Sequence, residues 1–188
     1  MKRLPVLAPI LFALALLAGC GGSDEAHNAQ DVTFVKDMVP HHEQAVVMSD
    51  LALSQAGSPA VKDLATRIKA AQAPEIATMK GWLTSWGEDE AGGHDMSSMD
   101  SMDSMDMGGM KGMASEEDLT ALRNASGAEF DKLFLKDMTA HHEGAVEMAK
   151  AEIAKGKDPA AKTLAQQITS SQEKEITEMR QLLTTVAG

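Results

Sequence analysis

Apolar residues recur at three- and four-residue intervals along four long stretches of the chain, the period of a helix that buries one face. The first stretch predicts a helix over about residues 31–56, in which Phe34, Met38, Ala45 and Ala52 share a stripe. His41 and His42 stand on the two shoulders of that stripe, with Met48 beside His41. Pro40 is expected to bend the axis just ahead of the histidines, because proline removes a helical hydrogen bond. Gly57 supplies a stop, and Ser58-Pro59 supplies an N-cap followed by proline at the first helical position, which together read as a tight turn. A second helix follows, presenting Val61, Leu64, Ala65, Ile68, Gln72, Ile76, Met79 and Leu83 on one face.

The same hairpin is written again one hundred residues later. Phe34-Val35-Lys36-Asp37-Met38-Val39-Pro40-His41-His42-Glu43-Gln44-Ala45-Val46-Val47-Met48 returns as Phe134-Leu135-Lys136-Asp137-Met138-Thr139-Ala140-His141-His142-Glu143-Gly144-Ala145-Val146-Glu147-Met148. Gly156, Asp158-Pro159 and then Ala161, Leu164, Ala165, Ile168, Gln172, Ile176, Met179 and Leu183 repeat the turn and the second helix. Ahead of this copy, Ser115-Glu116-Glu117-Asp118 reads as an N-cap with an acidic first turn and predicts a short helix to about Asn124. Neither hairpin can bury its stripe alone. Packing the two about a pseudo-twofold axis predicts an all-α four-helix bundle that brings the histidine pairs into one interior or onto related positions. The alternative architecture is two independent hairpins that dimerise with other chains.

Between the hairpins, residues 87–114 are of low complexity, rich in Gly, Ser, Asp and Met, and predict a disordered linker. The chain thus divides into a leader (1–19), a polar tether (20–30), the first hairpin (31–86), the linker (87–114), and the short helix with the second hairpin (115–186). The leader has Lys2 and Arg3 ahead of an apolar run over residues 4–17, closed by Leu17-Ala18-Gly19-Cys20. This resembles a bacterial lipobox, in which cleavage before Cys20 leaves a lipid-bearing cysteine. A secretory signal without lipid is the alternative, since the run is too short for a bilayer-spanning helix of about 20 residues. The protein is therefore expected to be exported and anchored to the bacterial membrane, facing the periplasm or the cell exterior. Cys20 is the only cysteine, so no internal disulfide is available and any metal site must use His, Met and carboxylates.

A scarcity of aromatics, 3% with no tyrosine, and an abundance of Ala, Leu, Met, Lys, Glu and Gln strengthen the helical reading. The net charge of −11 lies mostly in residues 87–118, where ten acidic residues face Lys111 alone. An acidic chain with no basic stripe argues against a nucleic-acid partner and favours cations.

Antiparallel hairpin geometry places Glu75 near His41 and Met79 near Met38, and likewise Glu175 near His141 and Met179 near Met138. The candidate metal ligands are Met38, His41, His42, Met48, Glu75 and Met79 in the first hairpin and Met138, His141, His142, Met148, Glu175 and Met179 in the second. Imidazole prefers borderline metals and thioether selects Cu(I) or Ag(I), so the mixture points to copper, with Cu(I) favoured. Asp37 and Asp137 read either as groups that orient an imidazole or as solvated surface, and Glu43 and Glu143 as solvent-facing or rim groups. The linker adds His94, Met96, Met99, Met102, Met105, Met107, Met110 and Met113, a flexible strand able to wrap Cu(I) with sulfur. Exposed methionine is a poor spacer outside the cytoplasm because it oxidises, which favours metal capture over a neutral tether and leaves a sacrificial oxidant sink as the alternative.

The phrase Met-x-x-His-His-x-x-Ala-x-x-Met, repeated ahead of paired helices, resembles the bacterial domain-of-unknown-function family 305. Met38, His41, His42, Ala45 and Met48 carry the likeness in the first half, and Phe130-Asp131, Phe134-Leu135, Met138, His141, His142, Ala145 and Met148 in the second. The resemblance implies a ferritin-like fold, export, and copper handling in copper tolerance, with no established catalytic activity. The first half lacks a second Phe-Asp, and Pro40 and Gly144 interrupt the motifs.

The leading expectation is a copper-binding lipoprotein that captures, buffers or sequesters Cu(I), with Ag(I) and Cu(II) as further ligands and a homo-oligomer or a copper-delivery protein as partner. Two other classes stand beside it. A ferritin-like dinuclear iron or manganese oxidase would need Glu-x-x-His motifs, whereas Glu75 and Glu175 are followed by Thr78 and Glu178. A metal-free helical interaction module would use the histidines for packing or pH sensing.

Overall fold

Capping residues fix where each helix begins. Asn28 accepts hydrogen bonds from the backbone N–H groups of Gln30 and Asp31, while its own N–H donates to the Asp31 carboxylate, a reciprocal capping box. Ser115 and Asp118 form the same box ahead of the short helix, as their sequence predicts. In the computed structural model, which describes residues 26–88 and 110–186, the elements are α1 (Ala29–Gln55), α2 (Pro59–Trp86), α3 (Glu116–Asn124), α4 (Gly127–Lys155) and α5 (Pro159–Val186). Pro59 and Pro159 open their helices, and Gly87 closes α2 in the left-handed conformation at φ 70°. α1 continues through Pro40 and α2 through Pro74 as unbroken helices. The leader, Cys20 and the linker residues 89–109 lie outside the described residues.

α1 pairs with α2 and α4 with α5 as the two predicted hairpins, and α1 packs on α4 across the interface between them. α2 and α5 meet only slightly, so the fourth side of the bundle is open. A groove of about 480 Å³ lies there, lined in part by Glu75, Trp82, Thr163 and Leu164.

Burial divides the core into two apolar clusters. One holds Phe34, Met38, Met79 and Leu83 with Ala145, Ala149, Leu164 and Ile168. The other holds Met48, Leu51, Leu64 and Ile68 with Phe130, Phe134, Met138 and Met179, and α3 adds Leu119 and Leu122 to it. Each fully buried Leu, Ile, Phe or Met contributes roughly 1.5–3 kcal/mol of transfer free energy. The histidine motifs fall between these clusters along both α1 and α4.

Two carboxylates lock the hairpins together. Asp131 on α4 accepts from the N–H groups of Gly57 (3.0 Å) and Ser58 (2.9 Å), in the turn of the other hairpin. Asp31 on α1 accepts in the same way from Lys157 (3.0 Å) and Asp158 (2.9 Å). The first half therefore keeps the acid of the Phe-Asp pair, with Gln30 in place of the phenylalanine.

Asp31 has a second buried neighbour, Glu152. Burial, then the Asp31 carboxylate beside it with its negative charge, push the Glu152 carboxyl up to about 8. Asp31 goes the other way: burial raises it, but the neighbouring Glu152 carboxyl and hydrogen bonds from three backbone N–H groups outweigh burial and lower it. Gly156 leaves the room this needs, because a Cβ there would sit 2.0 Å from a Glu152 carboxylate oxygen. Between the ordinary value of 4.5 and about 8 the folded state holds a proton at Glu152 that the unfolded chain has released. Stability from this group is present at low pH and declines as pH rises through that window. Glu152→Gln, a permanent donor to Asp31, should flatten the fall in melting temperature between pH 5 and 9; an unaltered slope in a thermal-melt series would rule this pairing out.

Candidate metal centre

Adjacent residues on a helix diverge by about 100°, so the two histidines of each motif face different partners. His41 on α1 and His141 on α4 turn towards each other across the hairpin interface, with ring centroids 3.7 Å apart and planes tilted by 38°. His42 and His142 turn back onto their own hairpins. His42 Nε2 lies 2.9 Å from Glu75, and His142 Nε2 lies 2.8 Å from Glu175. The hairpin register expected from sequence is thus corrected by one residue: Glu75 and Glu175 reach the second histidine of each pair, because the first is committed to the bundle axis.

All four rings are fully buried. Neither nitrogen of His41 or His141 has a well-aligned hydrogen-bond partner, and the Nδ1 atoms of His42 and His142 have none either. Six buried ring nitrogens therefore stand without a protein partner, an arrangement that packing alone does not favour. Burial, then the neighbouring His42, pushes the His41 imidazole down to about 3. Burial, then His41, holds His141 well below the usual histidine range. Both rings are neutral at physiological pH and keep a lone pair. A Glu carboxylate accepting from Nε2–H likewise leaves Nδ1 of His42 and His142 as the basic nitrogen.

The methionines are grouped by the fold in a way the sequence does not display. Met38 and Met79 from the first hairpin share a cluster against which Met148 of the second packs, and Met138 and Met179 of the second share a cluster with Met48 of the first. Five of the six are fully buried, and Met148 is partly so. Each side of the histidine layer thus receives two thioethers from one hairpin and one from the other. Among the described residues no three His, Cys, Asp or Glu side chains gather closely enough to hold a metal by themselves. A centre here needs sulfur.

Several expectations outside this layer are also resolved. Asp37 is half-buried and Asp137 is buried, and burial raises both carboxyls, so neither is solvated surface. Neither carboxylate bonds an imidazole among the hydrogen bonds of the described residues. Glu43 pairs with Lys80 and Glu143 with Arg180 at the bundle surface. His27 stacks on Trp86 with centroids 4.6 Å apart, away from the histidine layer. Of the linker donors, Met110 and Met113 are described and half-buried; His94, Met96, Met99, Met102, Met105 and Met107 lie outside the described residues.

Sequence reasoning gave Gln44 no role and noted Gly144 only as an interruption of its motif; the two occupy equivalent places in the two motifs. The Gln44 side chain bonds both backbone groups of Ala114, and Gly144 receives the Lys111 carbonyl. The available signal was the mismatch itself, a polar amide in one copy where the other has glycine.

A family model, the domain of unknown function DUF305, matches residues 31–183, which hold both motifs and nearly all of their hairpins. The chain belongs to the DUF305 family. Solved DUF305 structures share the bundle. A DUF305 protein from Streptomyces coelicolor, assigned there as secreted, is 33% identical over 85% of this chain and 93% of its own, with a TM-score of 0.73. A DUF305 fragment from Deinococcus radiodurans is 30% identical over 84% of this chain and 97% of its own, with a TM-score of 0.70. CopM in its Cu(I)-bound form is 30% identical over 84% of this chain and 98% of its own, with a TM-score of 0.68, and CopM has also been solved in Cu(II)-bound, silver-bound and apo forms. No curated protein matches the chain significantly. Among the described residues no helix is long and apolar enough to cross a membrane.

Proposed function

We propose that this DUF305 protein is an extracytoplasmic copper-binding lipoprotein that captures and sequesters Cu(I), with Ag(I) as a close substitute, and that it is not an enzyme. The observation that carries this reading is the histidine layer, six unpartnered imidazole nitrogens between two groups of three methionines. Neutral imidazole and thioether form a soft, uncharged donor set suited to a monovalent soft cation and poorly suited to Mg²⁺, Ca²⁺ or Mn²⁺. CopM, which resembles this chain across nearly all of its own length, binds copper and silver, and that likeness supports the choice of metal.

In this reading His41 and His141 supply nitrogen from the axis, and Met38, Met79 and Met148 on one side and Met138, Met179 and Met48 on the other supply sulfur. Glu75 and Glu175 set the tautomers of His42 and His142 and direct their Nδ1 atoms inward. Ring centroids 3.7 Å apart are in contact, so an ion shared by His41 and His141 has to turn the rings. The methionines of the linker act first, taking Cu(I) from solution, and the lipid on Cys20 holds the protein at the membrane.

The test uses the soluble chain from Ser23 onward, whole and with residues 94–109 removed, melted with and without Cu(I) under reducing conditions. A ligand bound by the folded state alone raises stability, by about 2.7 kcal/mol at a hundredfold excess over Kd. The shortened chain should still melt higher with Cu(I) and with Ag(I). A melting temperature indifferent to both metals would leave the bundle a scaffold and the linker the sole metal trap.

A further inference from the structure

Residues 110–114 return the chain from the linker to α3, and they cross the seam between α1 and α4 at the level of His41 and His141. The fit of this strap is close. The Lys111 carbonyl packs on Gly144 so tightly that a Cβ at 144 would lie 2.0 Å from its oxygen, and a Cβ on Gly112 would meet the Ala140 carbonyl oxygen at 2.6 Å. Gly112 also adopts a φ of 84°, which glycine alone takes without strain. On the α1 side, Gln44 Nε2 donates to the Ala114 carbonyl at 3.0 Å and Gln44 Oε1 accepts from the Ala114 N–H at 2.8 Å. Lys111 also pairs through its ammonium with Glu147. Its backbone carbonyl faces the His41 ring, although neither ring nitrogen meets an aligned partner.

We propose that residues 110–114 are a gate over the His41–His141 pair, with Gln44 as its latch and Gly144 as its seat, and that a soft monovalent cation reaches the buried donors when the gate lifts. The role of the gate rests on the metal-binding reading above, but the latch is a property of the metal-free chain. A backbone carbonyl is a hard oxygen donor and a poor ligand for Cu(I) or Ag(I), so the strap cannot complete the coordination and has to move aside. Its attachments suit that movement. Two neutral hydrogen bonds and one ion pair between largely exposed side chains can open locally while the helices stay packed. The gate also makes the halves of the repeat unequal, since the strap is hydrogen-bonded to α1 through Gln44, whereas on α4 it is seated at Gly144 and held by an exposed ion pair to Glu147.

Gln44→Ala removes the latch, and Gly144→Ala denies the strap its seat. In the soluble chain from Ser23 onward, amide hydrogen exchange over residues 112–114 reads the strap without metal. The histidine ring resonances, followed as Ag(I) is added and then withdrawn with a chelator, read loading and release at the buried site. Both variants should speed strap exchange, Ag(I) uptake and Ag(I) release by about tenfold each, the equivalent of one or two lost hydrogen bonds, with the ratio of the two rates nearly unchanged. Strap amides that stay as slow as in the parent chain in both variants would overturn the gate. Freed amides with unchanged loading in a parent chain that responds to silver would also overturn it. Ring resonances of the parent chain that ignore silver would overturn the metal-binding reading itself and the gate's role with it, a result told apart because the strap would still be freed.

Discussion

Replacing His41 and His141 together with leucine should make the metal-free protein melt at a higher temperature and remove most of the thermal shift produced by Cu(I) or Ag(I). Each imidazole is fully buried and has two nitrogens without an aligned partner. An unsatisfied buried polar group costs about 1–3 kcal/mol, whereas leucine fills a similar volume with no polar atom. A gain of about 2 kcal/mol in the double variant corresponds to roughly 4–8 °C for a domain of this size. The contrast should grow in acid. The unfolded chain takes up protons below the ordinary histidine value of 6.5, which folded His41, held at about 3, refuses. The parent protein therefore loses stability as pH falls from 6.5 towards 3, and the leucine variant is spared that loss. Calorimetry at pH 7 and pH 5, with and without Ag(I), checks all of this. A metal-free variant that melts well below the parent protein would mean that the histidines are structural and would sink the trade of stability for binding.

Asp131→Ala should cost about 3 kcal/mol, since it leaves the Gly57 and Ser58 N–H groups without the charged acceptor that joins the hairpins. The melting temperature should fall by on the order of 10 °C. Asp131→Asn can recover one of the two bonds and should lie between the parent and the alanine variant. A loss of only about 1 °C for alanine, within the range of ordinary surface substitutions, would show that packing alone joins the hairpins. The effect should be the same with and without metal, which separates it from the histidine substitutions.

Much of this was legible in the sequence, for reasons that differ by element. The helices were readable because their apolar residues keep a 3.6-residue period and their ends carry Ser-Pro, Asp-Pro and the Ser115/Asp118 box, all local signals. The repeat indicated that the two histidine pairs would share one interior or occupy related positions, and the packing of α1 on α4 decides for the first, with His41 against His141. The hairpin register came out one residue off because counting from a turn cannot decide which of two adjacent histidines faces the axis; the neighbouring helices decide it. Grouping Met148 with Met38 and Met79 requires knowing that α1 and α4 cross, which is tertiary information. Glu152 was invisible for a related reason: its equivalent in the first half is Ala52, and a carboxylate on a helix normally reads as surface.

Sharing the sulfurs between hairpins has a bearing on how such a chain arose. Since each methionine group draws its third member from the opposite hairpin, a lone ancestral hairpin could complete neither group, and only a pair of identical hairpins related by a twofold axis would complete both. Duplication and fusion would then have turned a homodimer into one chain and left a single connecting segment with nowhere symmetric to go. Gln44 and Gly144 mark where that segment came to rest, and their divergence, one of several differences between the two copies, is what fusion would impose on two formerly equal faces.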